Sequence, residues 1–247
     1  MTTLKDFFAR HPRTALGFSG GTDSAYLLYA GTSLGADVRP YYIKTQFQPA
    51  FELADARRLA DELGVELTVI EADILADDAV AANPPDRCYH CKRALFTLLA
   101  ERAASDGYSE LIDGTNASDD PGDRPGTRAL RELRVISPLR ECGITKADVR
   151  RLSREAGLFT YAKPSYACLA TRVPTGRRIE AGALGRIEAA ESALRALGYD
   201  DLRVRLCEGG VRLELPESEL ERAVRGRGEI LRALDGMGRV TLDLRGR

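Results

Sequence analysis

Apolar and amphipathic segments alternate along the first part of the chain, and this alternation predicts strands separated by helices. The short apolar runs that predict buried strands are residues 14–18, 38–43, 67–70, 110–113 and 135–136. The segments with a helical spacing of apolar residues are residues 25–30, 51–63, 89–104 and 145–156. Thr145 is a candidate N-cap for the last of these helices. The alternation indicates an α/β fold, in which a parallel sheet carries helices on both faces and binds ligands beyond the carboxyl ends of its strands.

The pattern changes after Gly157. Residues 158–180 have little periodicity and contain Pro164, Pro174 and Gly176, so we expect a linker there. The elements predicted beyond it are a helix at 187–197, strands at 202–206 and 211–215, a helix at 220–234 and a strand at 240–244. Gly209-Gly210 should join the first two of these strands as a hairpin. We therefore expect a nucleotide-binding domain at 1–157, the linker, and a small α+β domain of the split βαβ kind at 181–247.

The composition is that of a globular protein with a sizeable core, because 44% of the residues are hydrophobic and 30% are charged. The formal net charge of −1 gives no general attraction to nucleic acid or to an anionic membrane surface. No apolar segment is long enough to span a bilayer, and residues 1–13 lack the apolar core of a signal peptide. We therefore expect a cytoplasmic protein whose five cysteines form no structural disulfides.

A glycine-rich turn links the first predicted strand to the first predicted helix. Its residues are Ser19, Gly20, Gly21, Thr22, Asp23 and Ser24. The free N–H groups and the dipole of a helix N-terminus attract an anion, and the two glycines let the backbone approach it closely. An aspartate is unusual beside an anion unless a cation such as Mg²⁺ accompanies it. An ordinary turn would need only the glycines, so we expect these residues to bind the phosphates of a nucleotide.

The turn lacks the lysine of a Walker A motif and the third glycine of a dinucleotide-binding motif. It resembles the PP-loop of the ATP pyrophosphatases, which transfer the adenylyl group of ATP to a substrate oxygen and release pyrophosphate. The polar segment 113–126 follows the fourth predicted strand and should face this loop. We expect Gly114 and Arg124 to bind ATP or pyrophosphate, and Asp119 and Asp123 to bind Mg²⁺. The alternative is a solvated acidic loop.

Two cysteines, Cys88 and Cys91, lie three positions apart at the start of a predicted helix and share one of its faces. The helix dipole and the neighbouring Arg87 and Lys92 should lower the pKa of both thiols. Two thiolates do not complete a tetrahedral zinc site, so any metal would need further ligands from elsewhere in the chain. The alternative is that both cysteines are buried packing residues.

A third cysteine, Cys168, lies in the predicted linker, where Lys163 and Arg172 could stabilise a thiolate. Next to a site that activates a carboxylate with ATP, such a thiolate could attack the electrophilic acyl-adenylate. Together with Cys88 and Cys91 it could also hold an iron–sulfur cluster, because three thiolates leave the fourth iron of a cubane open for an extra sulfide.

These motifs, in this order, resemble the LarE family of ATP-dependent pyridinium-3,5-biscarboxylic acid mononucleotide sulfurtransferases. The matching segments are the PP-loop at 19–24, Pro-Asp-Arg-Cys-Tyr-x-Cys-Lys at 85–92, Asp-Gly-Thr-Asn at 113–116, Arg-Pro-Gly at 124–126, Cys-Leu-Ala-x-Arg at 168–172 and Leu-Arg-Val-Arg at 202–205. The resemblance covers nearly the whole chain. It implies an enzyme that adenylylates a carboxylate of the mononucleotide with Mg-ATP and converts it to a thiocarboxylate, for the nickel-pincer nucleotide cofactor of lactate racemase.

The resemblance also assigns residue roles. Cys168 matches the sulfur-donating cysteine, Glu191 matches a nearby acid that could act as a general acid or base, and Arg203 and Arg205 suit the substrate phosphate. In one branch of the family this cysteine forms a thioester and gives up its sulfur, which leaves dehydroalanine on the enzyme. In another branch three cysteines hold a [4Fe-4S] cluster that carries a labile sulfide. Because all three cysteines are present here, we predict the cluster branch.

The resemblance further implies a homo-oligomer formed through the small domain, and transfer of the product to later enzymes of nickel-cofactor synthesis. The alternatives are a tRNA thiolase of the same superfamily, an amide-forming ATP pyrophosphatase of the NAD or GMP synthetase type, and a nucleotide-binding module without catalysis. The neutral net charge and the lack of a recognisable RNA-binding domain argue against the tRNA thiolase. An amide-forming enzyme would need no cysteine.

Overall fold

The protein folds into two compact units in a computed structural model that describes residues 2–119 and 125–246. The first unit comprises Met1–Ile74 and Asp86–Tyr166, and the second comprises Leu75–Pro85 and Ala167–Arg247. The PP-loop and the pair Cys88 and Cys91 therefore belong to the first unit, and Cys168 belongs to the second. Asp123 and Arg124, which the sequence assigns to Mg²⁺ and to ATP, lie outside the described residues.

A four-stranded parallel sheet forms the centre of the first unit. Its strands are β1 (Arg13–Gly17), β2 (Asp37–Lys44), β3 (Thr68–Glu71) and β4 (Leu111–Ile112). They lie in the order β3-β2-β1-β4, and all neighbouring pairs are parallel. The predicted strand at residues 135–136 is reduced to one parallel bridge between Ile136 and Ile112.

Helices connect these strands and continue beyond them. They are α1 (Leu4–Arg10), α2 (Thr22–Ser33), α3 (Ala50–Glu62), α4 (Asp78–Ala81), α5 (Arg87–Ser105), α6 (Pro125–Glu132), α7 (Pro138–Glu141) and α8 (Lys146–Glu155). Short 3₁₀ helices occupy Ile74–Ala76 and Phe159–Ala162. Among the described residues, no helix combines the length and the apolar character needed to cross a membrane.

Adjacent residues of a strand point to opposite faces of the sheet, and here they enter two separate cores. Leu16 and Tyr42 pack with residues of α1, α2, α3 and α8. Ala15 and Tyr41 pack with residues of α5. Because apolar helices cover both faces, the strands can be buried on both sides, as parallel sheets require. The predicted α/β class is confirmed.

The segment that contains α4 joins the second unit through the side chain and backbone of Asn83. The Asn83 amide donates to the carbonyl oxygens of Pro174 at 2.8 Å and Arg177 at 3.1 Å. The N–H of Gly176 donates back to the Asn83 carbonyl at 2.8 Å. These bonds attach Leu75–Pro85, which belongs to the second unit, to the segment after Cys168.

The second unit is a small α+β fold around a three-stranded sheet. Its elements are α9 (Ala181–Ala196), β5 (Arg203–Cys207), β6 (Gly210–Glu214), α10 (Leu220–Arg225), α11 (Arg227–Ala233) and β7 (Arg239–Leu242), with 3₁₀ helices at Leu169–Arg172 and Glu217–Glu219. β5 and β6 form the predicted antiparallel hairpin, whose turn includes Gly209 at φ +71°. One side of the sheet packs with α9, α10 and α11 in a core that includes Leu194, Val204 and Ile230.

Two details of this unit differ from the prediction. β7 pairs directly with β6 in parallel, and no strand lies between them, so the motif is a βαβ unit and the split arrangement is wrong. The predicted helix at 220–234 is two helices that meet at Gly226, whose φ and ψ of −85° and 12° depart from helical values.

Candidate functional site

The PP-loop of the first unit is a tight turn between β1 and α2. Gly20 has a φ of +69°, and Gly21 is the N-cap of α2 in an extended conformation. The loop is also braced by serine hydroxyls: Ser24 Oγ lies 3.1 Å from Ser19 Oγ, and the N–H of Gly21 donates to Ser19 Oγ at 3.3 Å. The first N–H groups of a helix have no partner within it, so this turn presents donors that could bind an anion.

Gly114, directly after β4, closes one side of the turn. A Cβ atom at this position would lie 2.8 Å from the backbone nitrogen of Ser24 and 3.3 Å from the carbonyl carbon of Asp23. Glycine is therefore the residue that lets the segment after β4 approach the start of α2. The neighbouring Asp113 stabilises this segment, because its carboxylate accepts from the hydroxyls of Thr115 at 2.5 Å and Ser137 at 2.7 Å.

Asp23 lies in the first turn of α2 with its two carboxylate oxygens in different environments. Lys146, at the start of α8, donates to Oδ2 at 2.7 Å. Oδ1 is buried, and it has no hydrogen-bond partner among residues 2–119 and 125–246. Burial raises the pKa of Asp23, while the hydrogen bond and charge of Lys146 oppose that rise. A buried carboxylate oxygen without a donor suits a hard cation, and Asp119 lies close enough to raise the same pKa by its charge. These two residues fit Mg²⁺ that arrives with nucleotide phosphates.

A cavity of about 320 Å³ opens next to the loop. Its lining includes the polar residues Ser19, Asp23 and Asp119 and the aromatic residues Tyr41 and Phe96. The planar base of a nucleotide could pack against the aromatic rings while the phosphates of the same nucleotide reach the start of α2.

Lys92 also lines this cavity, from α5. A Cβ at Gly126 would come within 3.0 Å of the Lys92 Cδ, so the helix α6 confines the lysine stem. The sequence associates Lys92 with the thiols, and the structure places its side chain at the wall of the nucleotide cavity. Lys146 is a second cation that sequence reasoning missed, because no motif marks it.

Cys88 and Cys91 lie in the first turns of α5, where Cys88 is exposed and Cys91 is partly buried. They are thus available as two thiol ligands from one face of a helix. Arg87 Nη2 lies 4.0 Å from the Cys88 sulfur, and His90 pairs with Asp86 at 3.3 Å. Residues 2–119 and 125–246 contain no group of three or more His, Cys, Asp or Glu side chains placed so that they could hold a metal ion.

Cys168 is held in the second unit by its own backbone carbonyl. That oxygen accepts from the N–H of Thr171 at 3.0 Å, from its hydroxyl at 2.9 Å and from Arg172 Nη1 at 3.4 Å. Arg172 is fully buried and forms a two-point ion pair with Glu191, also fully buried, at 2.8 and 3.2 Å. Glu191 further accepts the N–H of Val204 at 2.9 Å. Glu191 therefore fixes the arginine that holds the Cys168 turn, and its acid–base role stays a prediction.

Arg203 and Arg205 share one face of β5 but differ in access. Arg203 is only 3% exposed and donates to the Leu202 carbonyl at 2.7 Å. Arg205 is 33% exposed, pairs with Glu214 at 2.7 Å and donates to the Thr171 carbonyl. Of the two, Arg205 is the one with a surface that an anion could reach, and the binding of a substrate phosphate by this pair stays a prediction.

No protein-family model matches the chain. Over its full length it is 35% identical to an uncharacterized protein of Synechocystis sp., of which it covers 94%. It is 33% identical over its full length to the pyridinium-3,5-bisthiocarboxylic acid mononucleotide synthase of Lactiplantibacillus plantarum, of which it covers 89%. Over 61% of its length it is 24% identical to a tRNA-specific 2-thiouridylase of Thermotoga petrophila, of which it covers 54%.

Proposed function

Because the chain belongs to the LarE family, that of the pyridinium-3,5-bisthiocarboxylic acid mononucleotide synthases, we propose that it is an ATP-dependent sulfurtransferase acting on pyridinium-3,5-biscarboxylic acid mononucleotide. It adenylylates one carboxylate of this substrate and converts it to a thiocarboxylate during synthesis of the nickel-pincer nucleotide. The observation that carries the proposal is the buried Oδ1 of Asp23, which has no hydrogen-bond partner within the described part of the chain and lies in the first turn of α2. Carboxylates bind Mg²⁺ and the N–H groups of a helix start bind phosphates, so the two together suit Mg-ATP.

Adenylylation takes place in the first unit. A carboxylate oxygen of the substrate attacks the α-phosphorus of ATP, the bond to pyrophosphate breaks, and an acyl-adenylate forms. The N–H groups at the start of α2 bind the departing pyrophosphate, and Lys92 and Lys146 add positive charge from α5 and α8. Mg²⁺, when bound, would be held by Asp23 and Asp119 and would neutralise phosphate charge.

In the sacrificial form of the enzyme, the sulfur comes from Cys168: its thiolate attacks the acyl carbon, AMP leaves and a thioester forms. Removal of the Cys168 α-proton with cleavage of its Cβ–S bond then leaves a thiocarboxylate on the product and dehydroalanine on the protein. We favour the cluster form of the enzyme, in which Cys88, Cys91 and Cys168 would hold a [4Fe-4S] cluster. The three thiols are the donor type that such clusters take, and the cluster would supply an exchangeable sulfide.

The test is anaerobic reconstitution with iron and sulfide, followed by incubation with Mg-ATP and the dicarboxylate mononucleotide. We expect bound iron and sulfide that disappear in Cys88→Ser but persist in Cys142→Ser, and we expect pyrophosphate and thiocarboxylate in equal amounts. A folded protein that binds no iron, with Cys168 converted to dehydroalanine after one turnover, would replace the cluster form with the sacrificial form. Absence of pyrophosphate release would refute the proposed function itself.

A second candidate is a tRNA thiolase, favoured by the partial similarity to the Thermotoga 2-thiouridylase. It would use the same adenylylation chemistry on a nucleobase oxygen. A salt-dependent mobility shift with bulk tRNA, together with ATP hydrolysis that only tRNA stimulates, would support this candidate over the carboxylate substrate.

We also propose that the chain forms a homo-oligomer through its second unit and passes its product to later enzymes of nickel-cofactor synthesis. Light scattering after size-exclusion chromatography checks the first part. A monomer at every accessible concentration would contradict it.

A further inference from the structure

Lys163 lies where three parts of the first unit meet. Its Nζ pairs with Asp55 Oδ2 of α3 at 2.6 Å and donates to the carbonyl oxygen of Gly20 at 3.2 Å. The side chain is only 13% exposed, and its Nζ lies 5.6 Å from the centre of the Phe51 ring. Ordering and desolvating a lysine costs free energy that a surface lysine avoids, so a lysine this buried is expected to have a specific role.

The hydrogen bond from Lys163 to the Gly20 carbonyl oxygen holds the backbone of the PP-loop. Gly20 is the loop residue with positive φ, and a Cβ there would lie 3.2 Å from the Glu52 carbonyl of α3. The loop, α3 and Lys163 are therefore closely packed. If Gly20 moves when an anion binds, Lys163 either moves with it or opposes the movement.

The segment around Lys163 is also attached to the helix that the loop opens. The Thr22 hydroxyl donates to the Thr160 carbonyl at 2.9 Å. Arg150 of α8 donates to the carbonyl oxygens of Tyr161 at 2.8 Å and Lys163 at 3.0 Å. Residues 159–166 thus pack against the PP-loop and the start of α2. Cys168 follows Lys163 by five positions in the chain.

We propose that Lys163 is a positioning residue that couples occupancy of the PP-loop to sulfur delivery at Cys168. The proposal rests on the proposed function. An acyl-adenylate is hydrolysed by water unless the sulfur nucleophile is in place, so the segment that carries Cys168 has to respond to the state of the ATP site. Lys163 is the charged contact that joins that segment to the loop backbone.

The test measures pyrophosphate and thiocarboxylate in the same reaction for Lys163→Met, with Lys163→Arg and the exposed Lys5→Met as controls. In Lys163→Met we expect the turnover rate for pyrophosphate release to change only a few-fold. We expect the ratio of pyrophosphate to thiocarboxylate to rise by about tenfold or more, since a displacement of about 1 Å can cost roughly 10²-fold in a positioned reaction. Lys5→Met keeps the wild-type ratio, and Lys163→Arg, which keeps the charge, recovers part of it.

A proportional fall of both products in Lys163→Met, with an unchanged ratio, would overturn the coupling, because it would mean that Lys163 only braces the loop. If the variant does not fold, Asp55→Asn serves instead, since it removes the ion pair and leaves the contact to Gly20; we expect a smaller rise of the same ratio. Failure of the proposed function is a separate result, in which the wild-type protein releases no pyrophosphate with the dicarboxylate substrate.

Discussion

Gly114 packs closely against the start of α2, and Gly114→Ala tests whether this packing matters. The added Cβ would lie 2.8 Å from the Ser24 nitrogen and 3.1 Å from its Cα. Both atoms belong to the backbone, so no flexible side chain can move aside. To reach an ordinary contact distance of 3.4 Å, the two segments must separate by about 0.6 Å.

Overpacking of this kind costs about 1–3 kcal/mol. The cost can appear in two places. If the segments stay together in the free protein, the free energy of unfolding falls by that amount. If they separate, the start of α2 is displaced and ATP must restore it, so the same 1–3 kcal/mol weakens ATP binding by about 5- to 150-fold. The sum of the two losses is the predicted quantity.

Calorimetric titration with ATP and urea denaturation measure the two losses on the same variant. Gly185→Ala is the matched control, because Gly185 lies in α9, where the added Cβ would have no described atom within 4 Å beyond its chain neighbours and the nearby backbone of its own helix. That substitution should leave ATP binding unchanged and stabilise the protein by about 0.4–1 kcal/mol. If Gly114→Ala matches the wild type in both ATP affinity and unfolding, the proposed closure of the site by Gly114 is wrong.

Three further predictions concern charged residues of the two units. Lys146 is the main influence that holds down the raised pKa of Asp23, so in Lys146→Met this pKa rises further and Asp23 is protonated at a higher pH. Mg-ATP binding, titrated as a function of pH, should therefore be lost at a higher pH than in the wild type. Coincident pH profiles would contradict this. Arg172→Met removes the two-point ion pair of the fully buried Glu191 and leaves its charge to the Val204 N–H and to Arg195 at 3.8 Å, so denaturation should show a loss of about 3–5 kcal/mol. A second change, Glu191→Leu, should largely restore it, and a loss below about 1 kcal/mol in the single variant would contradict the prediction. Lys92→Gln should weaken ATP binding by about tenfold with little change in stability, since Lys92 lines the cavity; unchanged binding would place the phosphates elsewhere.

Local sequence signals were sufficient for the elements that build the nucleotide turn. The apolar run before Gly20 predicts β1, and Thr145 is confirmed as the N-cap of α8, where its hydroxyl accepts the N–H of Asp148 at 3.2 Å. Both features depend on residues within a few positions of one another. Signals of that kind can be read without knowing which parts of the chain meet in space.

The contacts that arrange the site depend on residues far apart in the chain. Lys146 is 123 positions from Asp23, and Lys163 is 143 positions from Gly20, so no local pattern could pair them. The pairing of β7 with β6, which refutes the split motif, is likewise decided by which sheet edge a strand joins. The break of a predicted helix at Gly226 had a local signal, because glycine lowers helix stability by about 1 kcal/mol relative to alanine.

The central claim is that this protein activates a carboxylate with ATP and then replaces one of its oxygens with the sulfur delivered through residue 168. The most direct measurement follows Cys168→Ser and the wild type side by side under anaerobic conditions, with mass spectrometry of the nucleotide product. We expect both proteins to release pyrophosphate and only the wild type to yield a product in which sulfur has replaced oxygen. Thiocarboxylate formed by the serine variant at the wild-type rate would contradict it.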